Sequence, residues 1–575
     1  MKISIVILTK NNVSNLDRII KIISKFDISL EIELLVIDNN SKDGTVDFLN
    51  KSESVNAILN EKEINYSEAF NLALNKTDGK YILFLQQDAI LTEKALNKLI
   101  NCLNSSDEIA MVGPSLCYST TFQSVNCEAN NLEQLLCFSD SYNESHIGLS
   151  YERITLSNSC FIVKREVVDK VGYFDEAIGG YSALDDYCYR IRRKGYKLIY
   201  SKDTFVYNNG NSSFFESENR DYEDKLFEEK WGFKSSYSNG IREDMISLFD
   251  KNYEEKITVL EVGCACGGTL LEIKNLYKNA QLFGLELNGA AAKCAGMIAE
   301  AYEDNIETSE INFEEEKFDY ILFGDVLEHL YSPEKVLKKV RRFLKPTGKI
   351  VASIPNVMHY SILRQLIFGR WKYEDAGILD RTHIRFFTYT EIIEMFKACE
   401  YENINIRCNP FIGSQEDEEF INVLTSISNE NFDMQYKTYQ YVLTANKLNK
   451  DEILGFCLKN ITSNKNYQEI ETKLDDFSVD EILSYINKNV SNKVEMLNSV
   501  GVYNFNKGKY EEVIPFFSQA LAFDNKNKNT LFNLGVVLFS IGEYTLSKDY
   551  FQQIEEDDNM VKQYLEAINE KIEGK

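Results

Sequence analysis

An α/β multidomain chain is predicted: two blocks built on largely parallel sheets, followed by an all-helical end. Three observations predict it. Short runs rich in Ile, Val and Leu alternate with amphipathic stretches up to about residue 447, as βαβ units require. A glycine-rich turn, "GCACGG", separates a strand from a helix in the middle of the chain. The last residues repeat themselves at a fixed interval.

At about 150 residues per domain, 575 residues call for three or four units. Boundaries fall at 1–238, 239–447, 448–490 and 491–575. The net charge of −26 argues against nucleic acid as the main partner, although a locally basic pocket for phosphates remains compatible with it. No apolar run approaches the ~20 residues of a membrane span. The opening "ISIVIL" is too short for a signal-peptide core, so a soluble, cytoplasmic protein is expected. Twelve cysteines lack framework spacing and are expected as reduced thiols. Cys264 and Cys266 have no second pair, and His146, His329, His359 and His383 do not stand at ligand spacing, which speaks against zinc.

In the first block "ISIVILT", "EIELLVID" and "YILFLQQD" read as strands, with "NLDRIIKIISKF" and "SEAFNLALNK" as helices between them. Ligands of such sheets bind beyond the strands' carboxyl ends, where "ILTKNN", "VIDNNSKDGT" and "FLQQDA" should converge. Asp88 closes a buried run, and the plainer reading of such an acid is a turn-former.

"VIDNNSKDGT", "YILFLQQDAIL" and "GGYSALDDYCYRIRRKGYKLIY", taken in order, make the first block similar to family 2 inverting glycosyltransferases of the GT-A fold. It most resembles those of bacterial O-antigen, rhamnan and flagellin-glycan loci. The resemblance implies a nucleotide-diphospho-sugar donor whose base is bound by Asp38, with Thr9 and Asn11 lining the pocket. Asn65 and Asn71 are weaker candidates. Relatives often carry Asp-x-Asp where this chain has Gln86-Gln87-Asp88. Asp88, with the Gln86 amide, is therefore the expected holder of Mn2+ or Mg2+, helped by diphosphate oxygens and water. Of the acid pair, Asp186 aligns best with the general base that deprotonates the acceptor hydroxyl, with Asp185 second. A like charge alongside raises proton affinity, which suits a base; the plainer reading is an acid pair at a helix start. Arg190 and Arg193 follow on that helix, and Asn208 stands where relatives carry a histidine.

The second block opens on "VLEVGCACGGTLLEI", a strand, glycine turn and helix that let backbone approach a ligand closely. A dinucleotide site shares that logic. Glu286 ends the next strand about twenty residues on, where an acid bonds ribose hydroxyls. "FDYILFGDVLEHLYSP" and "FLKPTGKIVASIPN" make the block resemble class I S-adenosylmethionine (SAM) methyltransferases of Rossmann-like fold. The resemblance implies that Glu261, Gly263 and Gly267 hold the methionine end, Glu286 the ribose, Asn305 the adenine side, and that Asp325 lies near the cofactor. His329, His359 and His383 are candidate bases for a hydroxyl acceptor. "YQYVLTANK" is the last strand, and 448–490 reads as a helical linker.

At the C-terminus Gly501, Gly508, Tyr510 and Phe517 align with Gly535, Gly542, Tyr544 and Phe551, each pair 34 residues apart. The segment resembles tetratricopeptide repeats without their late proline, Asn525 standing in its place. A bifunctional enzyme is expected. It would glycosylate a bacterial surface glycan or flagellin glycan and methylate the product, with a possible protein partner at the repeats. The alternatives are a methyltransferase with a degenerate, glycan-binding first block, and a scaffold recruiting a protein acceptor.

Overall fold

The structure is a computed structural model. It describes residues 2–27, 29–119, 121–129, 131–145, 148–180, 182–210, 220–235, 239–428, 432–463, 470, 473–475, 477–554 and 558–573. Two compact units, Met1–Lys447 and Leu448–Lys575, divide the chain.

The first unit holds two sheets. Among the described residues the first has eight strands: β1 (Lys2–Thr9), β2 (Glu31–Asp38), β3 (Asn56–Leu59), β4 (Tyr81–Gln86), β5 (Ile109–Ser115), β6 (Ser150–Arg153), β7 (Cys160–Lys164) and β8 (Lys197–Phe205). Their order is β3-β2-β1-β4-β7-β5-β8-β6. β1 to β4 are parallel and β5 pairs with β8 in parallel, while β7, between β4 and β5, and β6, at the edge beside β8, run antiparallel to their neighbours, so the sheet is largely parallel as expected. Both faces are covered, which explains why β1 is apolar from Ile3 to Leu8 apart from Ser4. Ile3, Ile5 and Ile7 face Leu16, Ile19 and Leu99, while Val6 and Leu8 face Tyr66 and Phe70.

The second sheet comprises β9 (Thr258–Val262), β10 (Gln281–Glu286), β11 (Glu300–Glu303), β12 (Phe318–Gly324), β13 (Leu344–Pro355), β14 (Tyr401–Pro410) and β15 (Thr438–Lys447). The order is β11-β10-β9-β12-β13-β15-β14, with β15 antiparallel to both neighbours. Strand order reverses at β9, between β10 and β12, so a crevice opens at its carboxyl end.

The two sheets share a core. Tyr189, Phe227, Trp231 and Phe233 pack with Met245, Cys266, Leu270 and Ala295 in one apolar cluster. Beside it Arg153 meets Glu272 at 2.5 Å, both nearly buried. Asn275 pairs with the backbone of Glu152, accepting from its N–H at 2.9 Å and donating to its carbonyl at 3.0 Å.

The second unit is helical where described. Helices Lys493–Asn506 and Tyr510–Phe523 form a hairpin, as do Lys528–Ser540 and Tyr544–Gln552. The contacts repeat with the sequence. Phe505 meets Tyr510 edge-on at 5.5 Å, as Phe539 meets Tyr544. Gly508 and Gly542 take positive φ at the turns. The stretch read as a linker supplies helices Lys450–Ser463 and Val479–Asn489. Their Leu454, Leu458, Ile482 and Ile486 share a core with Leu497, Val500 and Phe516.

Candidate active sites

The carboxyl ends of β1, β2 and β4 meet at one place. Asp38, fully buried, ends β2; its Oδ2 accepts from the Ser41 N–H at 3.0 Å, and its Oδ1 has no partner among the described residues. Asn11 takes a positive φ and holds the Asp38 turn. Its N–H donates to Ser41 Oγ at 2.8 Å and its Oδ1 accepts from the Lys42 N–H at 2.6 Å. The Thr9 hydroxyl and the Lys10 N–H both donate to Gln87 Oε1, tying β1 to the end of β4. Asn65 is the N-cap of helix Tyr66–Lys76 in a capping box with Glu68, and its amide also donates to the Glu176 carbonyl. Both ends of that side chain are committed to structure, as are those of Asn71 on Phe174.

A cleft of about 400 Å³ lies beside these strand ends, lined among others by Gln86, Tyr118, Ser157, Asp185 and Asn208. The two members of the acid pair have different surroundings. Asp186 is fully buried beneath the cleft, accepting from Trp231 Nε1 at 2.9 Å, Lys230 Nζ at 2.7 Å and Arg190 Nε at 2.9 Å. Trp231 and Lys230 occupy its Oδ1 and Arg190 its Oδ2, so both carboxylate oxygens are engaged. Asp185 opens on the cleft and hydrogen-bonds Ser235. Desolvation pushes it up to about 7 against the pull of Ser235 and Thr155, with Asp224 and Asp186 adding to the rise. Helical geometry explains the split: adjacent residues point about 100° apart, so one faces inward and the other outward.

Asp88 follows β4 and is buried, near Tyr207. Asn208 is fixed to Tyr118 by two hydrogen bonds, donating to its carbonyl at 2.7 Å and accepting from its N–H at 2.9 Å. Among the described residues no set of three His, Cys, Asp or Glu side chains converges at this strand end. A cation here would rest on one carboxylate, the Gln86 amide, water and ligand phosphates, a set that suits Mg2+ or Mn2+ with a diphosphate.

In the second sheet Gly263 (φ 73°) and Gly267 (φ 86°) bend the chain between β9 and helix Gly268–Leu276. A Cβ on Gly263 would lie 2.6 Å from Val326. The Glu286 carboxylate accepts from the Ala265 N–H and the Asn288 N–H, both at 2.8 Å, which locks the loop onto the end of β10. Glu261 is buried with its Oε2 lacking a partner among the described residues. Desolvation pushes its carboxyl up to about 8, against the pull of Thr269 and Arg242. A buried acid with a vacant acceptor beside a glycine loop fits a cationic ligand group such as the amino end of SAM. Asn305 holds its own turn, accepting from the Glu307 N–H at 2.9 Å. Asp325, at positive φ, is held by Arg242 at 2.6 Å and Ser353 at 2.9 Å and also bonds Gln440.

Sequence reasoning missed Arg242, which reaches both Asp244 and Asp325 from just before the second sheet. It also missed that His329 and His383 meet, their ring centroids 4.7 Å apart, beside buried Glu328. The residues are 54 apart in the chain, so local spacing carries no trace of the contact. His359 caps helix Tyr360–Ile367 instead, and His146 lies outside the described residues. Cys264 is buried and its thiol is pushed far up by desolvation. Among the described residues no disulfide joins the cysteines.

Comparison with known proteins bears on both sheets. Residues 4–172 match glycosyl transferase family 2, and residues 236–406 match a methyltransferase domain. The chain therefore carries a glycosyltransferase domain fused to a methyltransferase domain. An uncharacterised protein of Methanocaldococcus jannaschii is 26% identical over 28% of this chain and 79% of its own length. The ubiquinone biosynthesis O-methyltransferase of Idiomarina loihiensis is 29% identical over 29% of this chain and 71% of its own. Among solved structures, a mannosyltransferase of Pyrobaculum calidifontis in complex with GDP-Man and Mn2+ is 16% identical. That match covers 37% of this chain and 58% of the mannosyltransferase, with a TM-score of 0.27. A SAM-dependent methyltransferase of Archaeoglobus fulgidus is 17% identical over 39% of this chain and 99% of its own, with a TM-score of 0.27.

Proposed function

We propose that this chain transfers a sugar from a nucleotide-diphospho-sugar to a glycan or glycoprotein acceptor and methylates the product with SAM. The observation that carries the reading is the placement of two constellations, each within a matched domain or beside it, at the carboxyl ends of parallel strands. Asp38 and Thr9 stand where a nucleoside would sit, and Asp185 faces the adjoining cleft. Glu261, the Gly263–Gly267 turn and Glu286 surround the second crevice.

Asp185 is the general base in this reading. It takes the proton of the acceptor hydroxyl as the oxygen attacks the anomeric carbon from the face opposite the diphosphate, giving inversion. Its raised proton affinity suits work near neutrality. Asp186 fixes the helix through Arg190, Lys230 and Trp231 and acts on Asp185 by position and by its charge. Mn2+ or Mg2+, held by Asp88 and Gln86, would neutralise the departing diphosphate. In the second crevice Glu261 receives the amino group of the cofactor and Glu286 its ribose hydroxyls. Asn305 and Asp325 border the pocket.

A bacterial surface glycan or flagellin glycan remains the favoured acceptor, on the sequence resemblance alone, with the helical hairpins, of tetratricopeptide type in this reading, as the surface for a protein acceptor. A cytoplasmic location fits, since no described helix is long and apolar enough to cross a membrane. A second reading, a methyltransferase whose first domain only binds glycan, is favoured by the amides at Gln86 and Asn208, the latter engaged with Tyr118 and Ser159. Intact mass of glycan and flagellin-type acceptors, after incubation with a panel of nucleotide sugars with and without SAM, separates the two. Sugar addition supports the first; methyl addition alone, with every donor, supports the second.

A further inference from the structure

The turn after β12 places an acid and an imidazole side by side, and a distant loop brings a second imidazole over them. Glu328 is fully buried in the turn Leu327–His329, and neither carboxylate oxygen has a hydrogen-bond partner among the described residues. Burying a carboxylate without partners is costly, so such a group is normally matched by a cation. His329 Nδ1 lies 3.2 Å from the Thr382 carbonyl, and His383 Nδ1 lies 2.9 Å from the Ile378 carbonyl. A carbonyl oxygen only accepts, so each Nδ1 carries a proton and Nε2 is the ring nitrogen left to bind a cation. Metal-binding histidines are oriented in this way, the nitrogen away from the ion donating to a carbonyl. His383 Nε2 stands 3.9 Å from Glu328 Oε1, and one ligand atom from each of the three residues lies within 4.8 Å of the others. The Ile384 and Arg385 N–H groups both donate to the Glu328 carbonyl at 3.0 Å, which fixes the His383 loop on the turn.

We propose that Glu328, His329 and His383 form a site for a divalent first-row transition cation on the methyltransferase domain. Two imidazoles and one carboxylate favour such a cation over Mg2+ or Ca2+, which prefer oxygen ligands. Three protein ligands leave positions open, as catalytic rather than structural sites do. His329 is only half buried, so the open side reaches solvent. The site begins three residues beyond Asp325, at the border of the cofactor crevice. Resting on the methyltransferase reading, the inference names the acceptor class: a hydroxyl, held by the cation in one of the open positions. Bound there, the hydroxyl loses its proton to water, and its oxygen bonds to the methyl carbon. The carbon–sulfur bond breaks with its electron pair remaining on sulfur, leaving a methyl ether and S-adenosylhomocysteine.

The test is Co2+ binding to the full chain after chelation, read by visible absorption, for the natural protein and for Glu328→Gln, His383→Gln and Asp88→Asn. SAM binding is measured by calorimetry on the same samples. The proposal expects a Co2+ spectrum that survives Asp88→Asn, loses roughly 10-fold or more in affinity in both cluster variants, and is not displaced by excess Mg2+. Retained SAM binding would show the variants folded. Unchanged Co2+ affinity in both cluster variants overturns the cation site and leaves methyl transfer standing. Loss of SAM binding in the natural protein overturns the methyltransferase reading and takes the acceptor assignment with it.

Discussion

Asp185 and Asp186 are neighbours in sequence with opposite surroundings. Asp185→Asn should lower sugar-transfer turnover by about 10²-fold or more, with nucleotide-sugar binding little changed, because only a proton acceptor is lost. Asp186→Asn should instead cost stability, on the order of 1–3 kcal/mol, since Arg190 loses its charged partner and Lys230 keeps only Asp175. Chemical denaturation together with steady-state kinetics separates the two effects; equal kinetic damage with no loss of stability in Asp186→Asn would restore it as base. Glu261 makes a prediction in pH. Its carboxyl, raised to about 8 by desolvation, is protonated near neutrality in the free protein, and an arriving ammonium would expel that proton. SAM binding should therefore release protons below about pH 8, with affinity rising toward that pH and levelling above it. Calorimetry in buffers of different ionisation enthalpy counts them, and no release near pH 7 would end the assignment. For folding the sign is the reverse. Unfolded carboxyls titrate near ~4 and these two titrate higher when folded, so the stability they confer holds below that and is lost as pH rises through about 7 and 8.

Among the elements, the hairpins make the sharpest test of packing. A Cβ on Gly501 would lie 2.4 Å from the Phe517 ring, and one on Gly535 would lie 2.7 Å from that of Phe551. Gly501→Ala and Gly535→Ala should each destabilise by roughly 1–3 kcal/mol through overpacking, despite alanine's better helix propensity. Thermal melts of the full chain followed at 222 nm check this, and a rise in melting temperature would contradict the packing. These glycines were legible because a repeat prints its contacts on the sequence at a fixed offset. β1, β2, β4, β9, β10, β12, β13 and β15 were legible because each is an apolar run ending at polar residues. β11, with a glutamate at each end of its four residues, and β14, alternating "YENINIRC", carry no such run. β7 is apolar but short, and nothing in its five residues tells that it pairs antiparallel between β4 and β5. In the sites, Glu261, Gly263, Gly267 and Glu286 were legible since one strand–turn–helix motif and the next strand end hold them all. Arg242 and His383 reach their places through tertiary folding alone.

For the whole molecule, Asp88→Asn should abolish sugar transfer while sparing methylation, because it removes the charge that would hold a cation on the diphosphate. Gln86→Asp should tighten Mn2+ dependence. Activity of both functions against added Mn2+, for these variants and the natural protein, checks both, and full sugar transfer by Asp88→Asn in chelator would leave Asp88 a turn-former. The apolar cluster joining Tyr189 and Trp231 to Cys266 and Leu270 sets what happens when the domains are cut apart. Residues 239–447 expressed alone should aggregate or melt well below residues 1–447, which should unfold in one transition. Two separate calorimetric transitions would show the cluster to be weak. That cluster and the buried Arg153–Glu272 pair also work as a ruler. A flexible leash between two catalysts lets either one search for a tethered product, whereas a rigid ruler fixes the stride from one workbench to the next. Short acceptors must then let go after the first step and be recaptured, so their singly modified form should accumulate. Only an acceptor long enough to bridge the stride can be finished without leaving.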